Sequence, residues 1–312
     1  MGHVNKLLIG YDGSPCAEAA LEELSRVGLP PELEALVLSV ADVWLPANPD
    51  PAPSEFPPAP SVAARLAREQ ALQAVASSHS LATRAAEQLR VFHPKWRIAA
   101  EAAADSPGWA LVRKAAEWRA DLVLVGSHGR GVLERLFLGS VSQKVAAEAP
   151  CSVHIARPRR HTHHARLRVV VAVDGSSESI EAVASVSRRI WPPFTEFHLV
   201  AVIDPRLESS FGWPGAPSMN WANFHDQDLR VSVHRMIETA ARRLHGAGLA
   251  VDTFVLHGDP KDQLLAHAAS WESDFIFIGA RGLHHGGRLA LGTTASALAA
   301  RAHCSVEITR PC

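Results

Sequence analysis

The feature that most restricts this chain is that its sequence is written twice. KLLIGYDGS (6–14) returns as RVVVAVDGS (168–176), and LVLSVAD (36–42) as HLVAVID (198–204). DLVLVGSHG (121–129) returns as DFIFIGARG (274–282), and APCSVHIARP (149–158) as AHCSVEITRP (302–311). The order is the same in both halves, so each half is one folding unit. The first two pairs are offset by 162 residues (168 − 6) and the last two by 153 (274 − 121), so a middle segment is longer in the first half.

Each repeated run is short, rich in Val, Ile and Leu, and lacks polar alternation. That pattern describes a strand buried on both faces of a parallel sheet. A third strand is predicted near Arg97–Ala102 and again near Val251–Leu256. Helical patterns lie between the strands. Ser14 is a candidate N-cap with Pro15 at the first helical position, and Gly28 is expected to stop that helix. Residues 61–90 read as a long Ala/Leu helix with a candidate break near Ser77–Ser80. Two further helices fall in WALVRKAAEWR and VSQKVAAEA. Strands alternating with helices imply an α/β fold: two tandem open parallel five-stranded sheets, with helices on both faces. The expected domains are 1–158 and 168–312, joined by a basic His/Arg linker at 159–167.

The bulk numbers exclude several classes. The 31 basic and 32 acidic residues leave a net charge of −1, so no global field recruits nucleic acid or an anionic membrane. No apolar run approaches the ~20 residues of a membrane span, and the N-terminus reads as a strand and turn rather than a signal peptide. Four cysteines (Cys16, Cys151, Cys304, Cys312) form no C-x-x-C and no zinc-like spacing. They are expected to be free thiols in a reducing cytoplasm, with Cys312 the candidate for oxidative cross-linking. The linker histidines read as a solvated connector or a weak metal or phosphate site. The proline-rich stretch 45–61 and its counterpart 211–221 read as lids or as surface insertions.

The chemistry lies in a spacing, G-x-x-G-x9-G-[ST], that occurs as Gly126, Gly129, Gly139, Ser140 and again as Gly279, Gly282, Gly292, Thr293. Each copy leaves a buried strand at its carboxyl end, where open α/β sheets bind ligands. Glycine there is expected to permit positive φ and to leave room for a ligand against bare backbone. Gly139-Ser140 and Gly292-Thr293 each open a helix, whose N-terminus favours phosphate. There is no Walker lysine. Asp12 and Asp174, each at the end of a first strand, read either as turn and cap residues or as ligand contacts. His128, between the first two glycines, is a candidate acid, base or nucleophile, or a phosphate contact. Its counterpart is Arg281. Arg130 and Arg288 are basic candidates near a phosphate tail, whereas Arg301 lies two turns into its helix.

On these motifs both halves resemble the universal stress protein family, specifically its ATP-binding branch, and the chain looks like a tandem member. The resemblance implies an adenine nucleotide alpha hydrolase-like, Rossmann-like sheet of order 3-2-1-4-5. It implies that Asp12 and Asp174 meet the adenosine near its ribose, and that the backbone of Val40 and Val202 reads adenine. The glycines would cradle ribose and phosphates. The implied ligand is ATP, with ADP or AMP as alternatives, with or without Mg2+. Family members pair through the fifth strand, implying Ser152–Ala156 against Ser305–Thr309 within the chain, and two chains then form a homodimer with an unknown protein partner. No Walker B run, SGGxDS loop or H-x-G-H motif is present. The expected function is therefore a nucleotide-dependent stress or signalling protein. An interaction scaffold with vestigial sites and a slow ATPase are the alternatives.

Overall fold

In a computed structural model the structure describes residues 4–44, 62–129, 138–158, 166–204, 226–282 and 291–311. The first half runs β1 (Lys6–Gly10), α1 (Pro15–Glu23), β2 (Glu34–Ala41), α2 (Val62–Phe92), β3 (Arg97–Ala104), α3 (Pro107–Trp118), β4 (Leu122–Gly126), α4 (Ser140–Glu148) and β5 (Ser152–Ala156). The second half gives β6 (Arg168–Ala172), α5 (Ser177–Ser187), β7 (Glu196–Ile203), α6 (Asp226–Gly246), β8 (Val251–His257), α7 (Pro260–Ser270), β9 (Phe275–Gly279), α8 (Thr293–Arg301) and β10 (Ser305–Thr309).

Both halves adopt the order 3-2-1-4-5, but they do not remain separate sheets. The ten strands among the described residues form one sheet, β3-β2-β1-β4-β5-β10-β9-β6-β7-β8. Every pairing within a half is parallel. The single antiparallel step is β5 against β10, with His154 opposite Glu307. A fifth strand left as an edge would present unpaired N–H and C=O groups. Here each edge closes the other.

The absence of polar alternation has its cause in the layers. Leu7 and Ile9 pack on one face beneath α1 and α2, while Leu8 packs on the other beneath α3 and α4. In the second half Phe197, Phe275 and Phe277 lie beneath α5 and α6. Both apolar layers contain residues from both halves and run across the β5–β10 joint. Burying side chains of this size stabilises the fold by roughly 1.5–3 kcal/mol each.

Some local expectations change. Residues 62–92 form one unbroken helix, because Ser77 and Ser80 turn their hydroxyls back onto the carbonyls of Gln73 and Ala76 instead of interrupting it. Helix α1 ends at Glu23, and Gly28 instead takes a left-handed φ of 68° further along, where its carbonyl accepts from Ile190 of the other half. The loops 45–61 and 211–221, linker residues 159–165, Arg130, Arg288 and Cys312 lie outside the described residues. Among the described residues no helix is long and apolar enough to cross a membrane.

Candidate functional site

Strand order alone builds two crevices. Strand β1 lies between β2 and β4, and the helices that follow β1 and β4 pack on opposite faces. A gap therefore opens beyond the carboxyl end of β1. In the first half it is a cavity of about 660 Å³ that touches Asp12, Val40, Gly126, His128, Gly129, Gly139 and Ser140. In the second it is about 400 Å³ and touches Asp174, Val202, Gly279, Arg281, Gly282, Gly292 and Thr293. The fold thus gathers these predicted site residues around two cavities; Arg130 and Arg288 lie outside the described residues.

Val40 and Val202 are set by strand alternation. The last rung described from β1 to β2 is Tyr11 N–H to the Leu38 carbonyl, 3.0 Å, and its counterpart is Val173 N–H to Val200, 2.9 Å. Two residues on, Val40 and Val202 direct their backbone groups toward the same side, where β1 and β6 have already ended. A donor and an acceptor face each crevice there.

The aspartates fold back on their own turns. Asp12 Oδ1 accepts from Ser14 N–H at 2.9 Å, and Asp174 Oδ1 accepts from both the N–H (2.9 Å) and the hydroxyl (2.6 Å) of Ser176. Ser14 and Ser176 then cap α1 and α5 by accepting from Ala17 and Ser179, each at 3.2 Å. The left-handed residues are Gly13 (φ 73°) and Gly175 (φ 86°), not the motif glycines. Gly129 and Gly282, where glycine was expected to permit positive φ, do not adopt it.

What those glycines accommodate is mostly the protein itself. A Cβ on Gly126 would lie 2.9 Å from the Cys16 carbonyl carbon and 3.0 Å from Ala17 N. One on Gly279 would lie 2.8 Å from Glu178 Cβ and 2.9 Å from Ser179 N. The missing side chain therefore lets β4 and β9 meet the first turns of α1 and α5. On Gly129 a Cβ would sit 3.0 Å from Asp12 Oδ2, and on Gly282 2.7 Å from Asp174 Oδ2. The second glycine thus brings a loop backbone onto the aspartate.

Gly139 and Gly292 donate to the carbonyls of Ser127 and Ala280 at 2.9 and 2.8 Å, tying the end of the loop to its start. They are the N-caps of α4 and α8, and neither helix has a side-chain cap. The α1 and α5 starts, which also reach the cavities, are closed by serine, and the α7 start by Asp259, whereas the α4 and α8 starts present bare amides and the positive end of the dipole. Ser142 fixes α4 by donating to the Gly126 carbonyl at 2.6 Å.

Two features escaped motif reading. Asp42 and Asp204 also border the cavities. Their signal was present, since the second repeated strand carries its aspartate in both copies. The other feature is an exchange of partners. In the first half His128 Nδ1 lies 3.0 Å from Ser127 Oγ, which approaches Cys16 Sγ at 3.7 Å. Burial, and then the Arg157 charge, push the His128 pKa down, so a neutral ring lies in the cavity wall. In the second half Arg281 bonds Glu178 Oε1 through Nε (2.9 Å) and Nη2 (2.6 Å). Burial would raise the Glu178 carboxyl, but hydrogen bonds from Ser177, its own N–H and Arg281 hold it below its usual value. Glu178 stands at the repeat position of Cys16 (178 − 162), so the two sites of change are one coupled change. Among the described residues no three His, Cys, Asp or Glu side chains gather as a metal site.

Comparison with known proteins agrees with the architecture. The universal stress protein family model matches residues 3–157 and again 166–310. A universal stress protein from Mycolicibacterium smegmatis is 32% identical over 157 residues, 49% of this chain and 46% of that one. The universal stress protein in the QAH/OAS sulfhydrylase 3′ region of Thermus aquaticus is 49% identical over 51 residues, 16% of this chain and 37% of that one. The chain spans less than half the length of either curated relative. The crystal structure of a universal stress protein from Archaeoglobus fulgidus superposes with a TM-score of 0.66 at 20% identity, over 98% of both chains. With a match in each half and the sheet order repeated in each, this chain belongs to the universal stress protein family.

Proposed function

We propose that each crevice binds an adenine nucleotide, ATP in the first instance, and that occupancy biases a conformation or assembly in a stress or signalling response. One observation carries this reading. In both halves an uncapped helix start, a strand edge with free-facing backbone polarity and an aspartate converge on one cavity. The amides of Ser140–Ser142 and of Thr293–Ala295 suit phosphates. Asp12 and Asp174 suit ribose hydroxyls, and the backbone of Val40 and Val202 suits the adenine edge. Ser140, exposed at the first turn of α4, adds a hydroxyl, and Arg130 is proposed for the phosphate tail. Magnesium would arrive with the phosphates. The boundaries we propose are 1–158, 159–167 and 168–312, with two chains forming a dimer.

The test is mass spectrometry of nucleotide released from freshly purified protein, followed by calorimetric titration. Adenine nucleotide recovered, or about two equivalents of ATP bound, supports the reading. Neither recovery nor heat removes it.

A second reading has its own support. The crowding at Gly126, Gly129, Gly279 and Gly282 is intramolecular, so the motif has a packing reason to exist without a ligand. This scaffold reading predicts no response to ATP. Slow hydrolysis would appear as phosphate release that D12A abolishes.

A further inference from the structure

The joint between the halves is built from a motif that the crevices do not use. Strand β5 and the residue after it read Ser-Val-His-Ile-Ala-Arg (Ser152 to Arg157), and β10 and the residue after it read Ser-Val-Glu-Ile-Thr-Arg (Ser305 to Arg310). The binding elements are reciprocal. Arg157 N–H donates to Ser305 Oγ at 2.9 Å, and Arg310 N–H donates to Ser152 Oγ at 3.1 Å. The Arg157 guanidinium reaches the Ala299 and Ala300 carbonyls at the end of α8, and that of Arg310 reaches the Ala146 carbonyl at the end of α4. Val153 faces Ile308, and Ile155 faces Val306. All of these contacts would form equally well between two copies of the same half.

One position breaks the reciprocity. His154 and Glu307 are equivalent in the repeat (307 − 153 = 154), and they face each other at the centre of the joint with Nδ1 and Oε2 3.0 Å apart. Both are about 1% exposed. Glu23 Oε1 of α1 lies 3.6 Å behind the histidine, and Arg189, just past the end of α5, bonds the glutamate from behind. The sequence of groups across the joint is Glu23, His154, Glu307, Arg189, with signs alternating throughout.

Because the approximate two-fold passes through this pair, a like-with-like joint in the same register would place residue 154 against 154, or 307 against 307. The order would become Glu, His, His, Glu, or Arg, Glu, Glu, Arg. Two carboxylates, or two imidazoles each left with only the Glu23 behind it, would meet at the centre with no opposite charge between them, and a buried pair of that kind is unfavourable. We infer that the His154–Glu307 pair is a selector: it admits the first half against the second and refuses a second copy of either half at the same edge. The fifth strands are therefore closed to like-with-like pairing between chains, and a homodimer uses another surface.

Substitution in the full chain imitates the refused joints. H154E sets carboxylate against carboxylate, as two second halves would, and H154Q is its near-isosteric neutral control. E307H sets imidazole against imidazole, as two first halves would. The measurements are amide-exchange protection in Val153–Ile155 and Val306–Ile308, and the urea midpoint. H154E is expected to lose about 100-fold or more in protection, and H154Q at least ten-fold less than that. E307H is expected to gain protection as pH rises from 6 to 9 and its imidazoles discharge. The native joint is expected to lose protection over the alkaline limb, because against burial, which lowers it, Glu23 and Glu307 raise His154 to about 9. Equal losses for H154E and H154Q, including failure of both to fold, would show that charge sign is irrelevant and overturn the selector. So would an E307H chain whose protection does not rise with pH.

Discussion

The two crevices share a backbone and differ in their charge. Around each, the same turn, the same capped helix start and the same uncapped one recur at equivalent positions. The wall that joins them is a neutral Cys16–Ser127–His128 group in the first half and a Glu178–Arg281 ion pair in the second. Duplication preserved what the main chain needs and left the electrostatic lining free to change. The lesson is that the glycine motif specifies geometry, while ligand preference is written beside it.

The largest effects should come where the halves are alike. G126A and G279A each force a Cβ against helix backbone at 2.9–3.0 Å, and backbone cannot swing aside as a flexible side chain can. Each is expected to cost about 1–3 kcal/mol or more in urea unfolding, with similar values in both halves. A large cost in one half and none in the other would break the claim of a shared backbone.

Next in size is the ion pair. Glu178 is buried and Arg281 only partly exposed. R281A leaves a buried carboxylate with fewer donors and is expected to cost about 1.5–3 kcal/mol. Transplanting the pair sharpens the comparison. C16E alone buries an unpaired carboxylate in the first half, and C16E/H128R should recover most of that loss. A double variant no better than C16E would mean that the two walls are not interchangeable.

Ligand affinity comes third. D12A and D174A remove the carboxylates that face Gly129 and Gly282. Under the nucleotide reading each lowers ATP affinity in its own half by about ten-fold, roughly 1.4 kcal/mol. Calorimetry on both variants checks this, and unchanged affinity in both favours the scaffold.

The contrast also explains what the sequence disclosed. The alternation of strand and helix, the Ser14 cap and the glycine positions follow from local patterns that the repeat states twice, so chance resemblance is suppressed, whereas the strand order and the places of Val40 and Val202 came from the family resemblance. The role of the glycines did not follow. Gly126 looks like room for a ligand in one dimension, and only the packing of β4 under α1 shows what occupies that room. The Glu178–Arg281 pair spans 103 residues and joins two different segments. A single sequence carries no sign of it until the two halves are aligned and both positions are seen to change together. The ten-stranded sheet lies between these cases. The fifth-strand pairing was expected from resemblance, but the central His154–Glu307 contact needed the register.

The smallest expected effect is a difference in acid response. Burial lowers the His128 pKa from 6.5, so the unfolded chain binds a proton there that the folded chain resists. Stability from this group is present above the unfolded value and declines as pH falls from about 6.5 toward the lower folded value. The second half has Arg281 at that place, and its acid-labile group is Glu178. That carboxyl is held below 4.5 in the fold, so its contribution is intact above 4.5 and is lost only as pH falls through the lower folded value. Between pH 6.5 and 5 the wall of the first crevice should therefore weaken while that of the second holds. Amide exchange followed separately in β4 and β9 across this window reads the difference, and H128Q should remove it by taking the titrating group out of the first half. Equal weakening of both strands, or a difference that persists in H128Q, would mean that the two linings do not set the acid response of their crevices.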